Sequence, residues 1–136
     1  SEYFQHWLDV GAKIQAGGHK LPSIYCVNWF RKDEAGKFVW PGYGENMRVL
    51  KWMIDRLEGQ AAGQERMFGI TPTYGELNWT GLNFTADQFK TVTSIDKAAW
   101  QQELQLHNTH FEQLAYNMPK ALLETKAALE QRLATL

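Results

Sequence analysis

Two neighbouring runs decide how this chain is read. Ser23-Ile24-Tyr25-Cys26-Val27-Asn28-Trp29-Phe30 is followed, seven residues on, by Phe38-Val39-Trp40-Pro41-Gly42-Tyr43-Gly44-Glu45-Asn46. The first is rich in β-branched and aromatic residues and almost continuously apolar. That pattern predicts a strand near 23–30 buried on both faces. The second breaks regular structure with Pro41-Gly42 and Gly44, which predicts a shaped loop. Between them Arg31 to Lys37 is polar, with Gly36 marking a turn.

Working outward, helical spacing of Phe4, Trp7, Leu8 and Ile14 predicts a helix over 2–15, ended by Gly17-Gly18. Val49, Leu50, Met53, Ile54 and Leu57 form the apolar stripe of a helix over 45–58, closed by Gly59. Residues 60–66 read as a polar connection, and 68–73 and 76–79 as short extended pieces. Thr85 and Gln88 have the form of a capping box opening a helix over 86–92. Asp96 can cap a helix over 97–117, and Pro119 suits the first turn of a last helix reaching about 134. The class expected is helix-rich α+β. No repeat, linker or low-complexity tract divides residues 1–136, so a single unit is expected.

Composition removes several functions. The 136 residues carry 14 Lys+Arg against 15 Asp+Glu, so no strong field favours nucleic acid or an anionic membrane. A single cysteine, Cys26, excludes an intrachain disulfide framework and a Cys-rich zinc site. In a buried strand it would be an inert apolar residue. The thiol fits a reducing, cytoplasmic setting, and no apolar run is long enough to span a membrane. The N-terminus has neither the basic nor the apolar region of a secretion signal. The missing initiator Met gives the expectation of a processed or truncated product.

Chemistry is sparse. His107 and His110 stand three apart on one predicted helix, but no His-Glu-x-x-His pattern accompanies them. His107 is expected to border the core and His110 to face solvent. There is no phosphate-loop motif, no Gly-x-Ser-x-Gly and no zinc signature. No catalytic residue and no metal ligand is assigned.

The aromatic content is the informative number. It reaches 13%, with six Trp, five Tyr and seven Phe, and seven of these fall between Tyr25 and Trp52. Two readings of the window stand. In one, Trp29, Phe30, Trp40 and Trp52 are core and Asn46 is a helix cap. In the other, Phe30, Phe38 and Tyr43 converge on a slot for a planar heterocycle. Gly42 and Gly44 would then admit the ligand closely, and Asn46 would read its polar edge. Arg31 and Lys32 would suit an anionic ligand.

The run Val27 to Asp33, continued by Gly36 to Leu50, closely resembles the C-terminal region of GTP-dependent phosphoenolpyruvate carboxykinases. The stretches Asn28-Trp29-Phe30-Arg31-Lys32 and Trp40-Pro41-Gly42-Tyr43-Gly44-Glu45-Asn46 carry it. Tyr3-Phe4, His6-Trp7-Leu8, Leu21-Pro22, Gly69-Ile70 with Pro72, and Gly81-Leu82 support it. The resemblance implies the C-terminal part of that family's α/β nucleotide-binding fold, with the guanine side of the site near 29–46 and C-terminal helices over 86–134. It implies that Phe30 and Tyr43 sandwich guanine, with Phe38 as a third wall. Asn46 would bond the guanine edge, and Gly42 and Trp29 would add backbone contact. The family usually has Phe where this chain has Tyr43, and small residues where it has Met47.

The implied reaction converts oxaloacetate and GTP to phosphoenolpyruvate, GDP and carbon dioxide, a lyase and decarboxylase step of gluconeogenesis. Its cofactors are GTP/GDP and manganese, with magnesium accompanying the nucleotide. The metal and phosphate ligands match nothing in these residues, so the chain alone would be catalytically incomplete. The implied partners are guanine nucleotide and the rest of the parent enzyme, with self-association through exposed strand edges. A different class of function, a free-standing module holding a sugar or peptide on Trp29, Trp40 and Trp79, is the alternative.

Overall fold

The computed structural model describes residues 1–136. Its elements are helix α1 (Glu2–Ala16), helix α2 (Asn46–Leu57), strands β1 (Gln64–Arg66) and β2 (Gly69–Thr71), and helices α3 (Ala86–Thr93), α4 (Lys97–Gln113) and α5 (Lys120–Ala134). Short 3-10 turns at Tyr43–Glu45 and Tyr74–Glu76 complete the set. The fold is helix-rich with one small sheet. No helix is long and apolar enough to cross a membrane. Contacts group the chain into two compact units, Ser23–Ser94 and Ser1–Pro22 with Ile95–Leu136. No composition shift in the sequence marks that boundary.

The unit Ser23–Ser94 is built on aromatic packing. Trp40, Trp52, Leu77, Phe84 and Phe89 form its buried cluster, with Tyr25, Trp29, Tyr74 and Trp79 packed against it. Trp79 stacks on Phe84 at 4.9 Å between centroids and on Tyr74 at 5.3 Å. The polar edges of Tyr74 and Trp79 are satisfied. The Tyr74 hydroxyl donates to the Phe84 carbonyl at 2.7 Å, and Trp79 Nε1 donates to the Tyr74 carbonyl at 2.8 Å. Helix α2 meets this cluster through buried Trp52, which lies outside the expected stripe, and half-buried Val49 and Met53, while Leu50, Ile54 and Leu57 of that stripe are exposed. The expected capping box is present at α3: Gln88 N–H donates to Thr85 Oγ1, and Thr85 N–H to Gln88 Oε1.

Two expectations fail here. Residues 23–30 are irregular, and most are exposed: Ile24 keeps 87% of its surface, and Cys26 is exposed. A strand apolar on both faces needs a neighbour on each edge, and the chain's one ladder pairs β1 only with β2. Without a ladder, Tyr25 and Trp29 turn toward the core and their neighbours face out. Cys26 is therefore a surface thiol and not a packed core residue. The second is β1, which lies where the sequence predicts a polar connection over 60–66. Gln64, Glu65 and Arg66 pair antiparallel with Thr71, Ile70 and Gly69 across Met67-Phe68. All three β1 residues are exposed, so no alternation betrays the strand.

The other unit is a helical one. Asp96 caps α4 through its carboxylate, which accepts from Ala99 N–H at 2.9 Å. Helices α4 and α5 pack together, burying Leu104 and Leu133. The α4 helix stops at Gln113, short of the expected 117, and Asn117 adopts φ 61° before Pro119 caps α5. Asn117 Nδ2 donates to Glu2 Oε1 at 3.1 Å, and Ser1 Oγ donates to the Leu114 carbonyl at 2.5 Å, tying α1 to this bend. His107 is half-buried, 3.3 Å from Glu103, and His110 is exposed, as their spacing on the helix implied.

Candidate nucleotide-base cleft

A side chain offered to a ligand must be held without being buried, and the loop from Asn28 to Val39 does this with local hydrogen bonds. Asn28 Oδ1 accepts from Phe30 N–H at 3.0 Å, an Asx turn that turns the chain at Phe30. Asp33 then organises the return: its carboxylate accepts from Lys37 N–H at 2.9 Å, and its carbonyl accepts from Gly36 N–H at 3.0 Å. Asp33 N–H donates to the Lys37 carbonyl, Val39 N–H donates to the Arg31 carbonyl, and Lys32 and Phe38 form an antiparallel bridge. The result brings Phe30 and Phe38 edge to face, with centroids 6.0 Å apart and planes inclined at 65°. Both remain largely exposed, at 73% and 52%.

The Pro41-Gly42 turn sets the opposite side. Gly42 has φ 128° and ψ −176°, a conformation essentially confined to glycine. It launches the 3-10 turn Tyr43–Glu45, closed by Glu45 N–H donating to the Gly42 carbonyl at 3.1 Å. Tyr43 projects from this turn with 92% of its surface exposed. Asn46 opens α2 and is half-buried. It does not cap the helix: its Oδ1 accepts from Trp40 Nε1 at 2.8 Å.

Arg48 closes the frame. It pairs with Glu45 at 2.5 Å, and its guanidinium also donates to the carbonyls of Asn78 and Thr80. That clamp fixes the loop leading to Leu82, Asn83 and Phe84 against the start of α2.

These pieces surround one open cleft of about 690 Å³. Trp29, Phe30, Phe38, Gly42, Tyr43 and Asn46 all line it, together with Lys37, Trp40, Asn83, Phe84 and Gln88. The structure thus brings these six residues together, whereas Gly44, also expected to admit the ligand, does not line the cleft. It also divides the aromatic window between the two competing readings. Trp40 and Trp52 are core, while Phe30, Phe38 and Tyr43 form an exposed rim. The cations expected beside a ligand are placed otherwise. Arg31 donates to Ser94 Oγ at 2.8 Å, and Lys32 Nζ lies 5.2 Å from the centroid of the Phe38 ring. Lys37 lines the cleft instead.

Asn83, Phe84 and Gln88 were missed because they join from about forty residues downstream. No local pattern points to them, although Gly81-Leu82 beside them belongs to the resemblance. Of the three platforms expected for a sugar, Trp40 is buried and Trp79 lies stacked between Tyr74 and Phe84, while Trp29 is half-buried and lines the cleft.

An aromatic rim, a buried aromatic floor and a few amides suit a flat heterocycle with a polar edge. They contain no nucleophile–base pair. The family model described as phosphoenolpyruvate carboxykinase C-terminal P-loop domain matches residues 1–132. A phosphoenolpyruvate carboxykinase (GTP) of Anaeromyxobacter sp. (strain K) is 45% identical over 130 residues, covering 96% of this chain. One from Treponema pallidum (strain Nichols) is 40% identical over 134 residues, covering 98%. One from Chlamydia muridarum is 39% identical over 132 residues, covering 96%. The chain spans about 21% of the length of each of these relatives.

Proposed function

The chain belongs to the GTP-dependent phosphoenolpyruvate carboxykinase family, and on that footing we propose that its aromatic cleft is the guanine-binding side of the nucleotide site. The observation that carries this reading is the convergence of Phe30, Phe38, Tyr43 and Asn46 on one open cleft. Phe30 and Tyr43 supply faces for the purine, and Phe38 braces Phe30 from its edge. Gly42 and Trp29 line the entry. Stacking on such faces contributes about 1–3 kcal/mol per base and tolerates any base. Preference for guanine must therefore come from polar groups, of which Asn46 is the side chain at the centre of the turn.

The whole protein's reaction is proposed to be the family's: oxaloacetate and GTP to phosphoenolpyruvate, GDP and carbon dioxide, in the cytoplasm. The donor set of this cleft, rings and amides with one lysine, is ill-suited to a divalent cation, which prefers carboxylate and water oxygens. The manganese of the reaction and the magnesium carried by the nucleotide are proposed to be held by residues outside this chain. So are the phosphates. Residues 23–30, apolar yet irregular here, are proposed to pair with sheet neighbours in the whole protein. In isolation they are the surface through which copies of the chain would associate.

An assay of the purified chain tests the division of labour. Oxaloacetate, GTP and manganese should give no phosphoenolpyruvate above background. Manganese-dependent turnover would mean that the chain carries its own phosphate and metal ligands, contrary to this proposal.

A further inference from the structure

Trp40 stands apart from the other rings of the cleft because it is buried and yet acts through a polar atom. Its ring packs on Trp29 at 5.5 Å and Phe84 at 5.6 Å, and 6% of its surface is exposed. Its Nε1 lies 2.8 Å from the Asn46 side chain. An indole N–H only donates. The Asn46 atom facing it must therefore be the carbonyl oxygen, and the amide NH₂ group is left as the part of Asn46 that a ligand can meet.

The orientation has a chemical consequence. Guanine carries an acceptor oxygen at its 6-position, where adenine carries an amino donor. An NH₂ group in the cleft pairs with the first and opposes the second, leaving two donors unsatisfied. A flipped Asn46 would do the reverse, offering its oxygen to adenine. That flip would set the NH₂ group against the indole N–H in a half-buried place, where an unpaired donor is costly. Without Trp40, the two amide orientations would be close to equivalent.

Resting on the guanine reading above, we propose that Trp40 is a positioning residue for base specificity. It holds the Asn46 amide with its NH₂ group toward the ligand, so the cleft accepts a 6-oxo purine and rejects a 6-amino purine. Trp40 does not touch the reacting groups. Its effect is read in a ratio of affinities.

Binding of IDP, GDP and ADP to the 136-residue chain, by equilibrium dialysis up to millimolar ligand, tests this. IDP is included because it differs from ADP at the 6-position without guanine's 2-amino group. Trp40→Phe keeps an aromatic ring in the core and deletes the N–H. It should reduce the IDP-to-ADP affinity ratio by about tenfold, the size of one lost polar discrimination. A merely structural role would weaken all three ligands alike and leave the ratio unchanged, which would overturn the proposal. Asn46→Asp is the second variant, in case Trp40→Phe does not fold. It keeps an acceptor for Trp40 and places another acceptor in the cleft, so the ratio should invert toward ADP. An unaltered ratio in Asn46→Asp would equally overturn the proposal. Wild-type chain with no preference between IDP and ADP would bring down the guanine reading itself, and this proposal with it.

Discussion

The Phe30 and Phe38 rings meet edge to face, with centroids 6.0 Å apart, although seven residues lie between them in the sequence and both are largely exposed. Their pairing depends on Asp33, whose side chain and backbone close the intervening turn. Removing a stacking face should cost about 1–3 kcal/mol, or roughly 5- to 150-fold in affinity. We expect Phe30→Ala to weaken GDP binding within that range, and Phe38→Ala to weaken it less, because Phe38 braces the stacking ring. Tyr43→Phe should be neutral within about twofold, since the ring face is retained. Isothermal titration of the three variants checks the order. Equal losses for all three would contradict it.

Two glycines separate local from global strain. Gly42 has φ 128° with nothing within 4 Å of an added Cβ, so an alanine there meets backbone strain alone. Gly63 has φ 67°, and its added Cβ would lie 2.5 Å from Ile70 Cγ2, 3.0 Å from Trp52 and 3.1 Å from the Thr71 carbonyl. Gly42→Ala should lower stability by about 1–3 kcal/mol and lower nucleotide affinity, because it launches the Tyr43 turn. Gly63→Ala adds overpacking to a similar strain and should destabilise more. Urea denaturation of both variants gives the comparison. A Gly63→Ala chain as stable as Gly42→Ala would show that the β hairpin relaxes freely.

Glu76 links that hairpin to the 3-10 turn Tyr74–Glu76. Its carboxylate accepts from Thr73 N–H at 2.7 Å, Gly63 N–H at 2.7 Å and Thr73 Oγ1 at 2.9 Å. The Thr73 and Gly63 backbone bonds hold its pKa below the ordinary 4.5, outweighing desolvation. A carboxyl group whose pKa is depressed on folding stabilises the fold fully above its unfolded pKa. That contribution falls away as pH drops through the lowered folded value. Wild-type stability should therefore decline below about pH 4.5, and Glu76→Gln should be less stable at pH 7 but flatter in that acid window. Thermal melts from pH 7 to 3 report it. Parallel curves for the two chains would remove Glu76 as the cause.

The helices were legible because their cues are local. The Thr85–Gln88 capping box and the Asp96 cap each lie within a few residues, and the α2 stripe marked the helix although Leu50, Ile54 and Leu57 stay exposed and Trp52 is its buried residue. Residues 23–30 were misread because strand formation depends on neighbours that no run of eight residues can specify. The rim residues Phe30, Phe38 and Tyr43 were legible through the resemblance and through their place beside turn-forming residues. The hydrogen bond from Trp40 to Asn46 was not. The indole N–H reaches Asn46 six residues away only because the Pro41-Gly42 turn brings the start of α2 back to it. Asn83 and Gln88 were hidden for a similar reason, since the Arg48 clamp that brings their loop to the cleft is a tertiary contact.

The central claim is that guanine lies against the rim of this one cleft. Proton NMR of the chain titrated with GDP tests it directly. The account predicts intermolecular nuclear Overhauser effects from the guanine H8 proton to the ring protons of Phe30 or Tyr43, abolished in Phe30→Ala. Saturable GDP binding with its contacts elsewhere, or no contact with these rings at millimolar GDP, would contradict it.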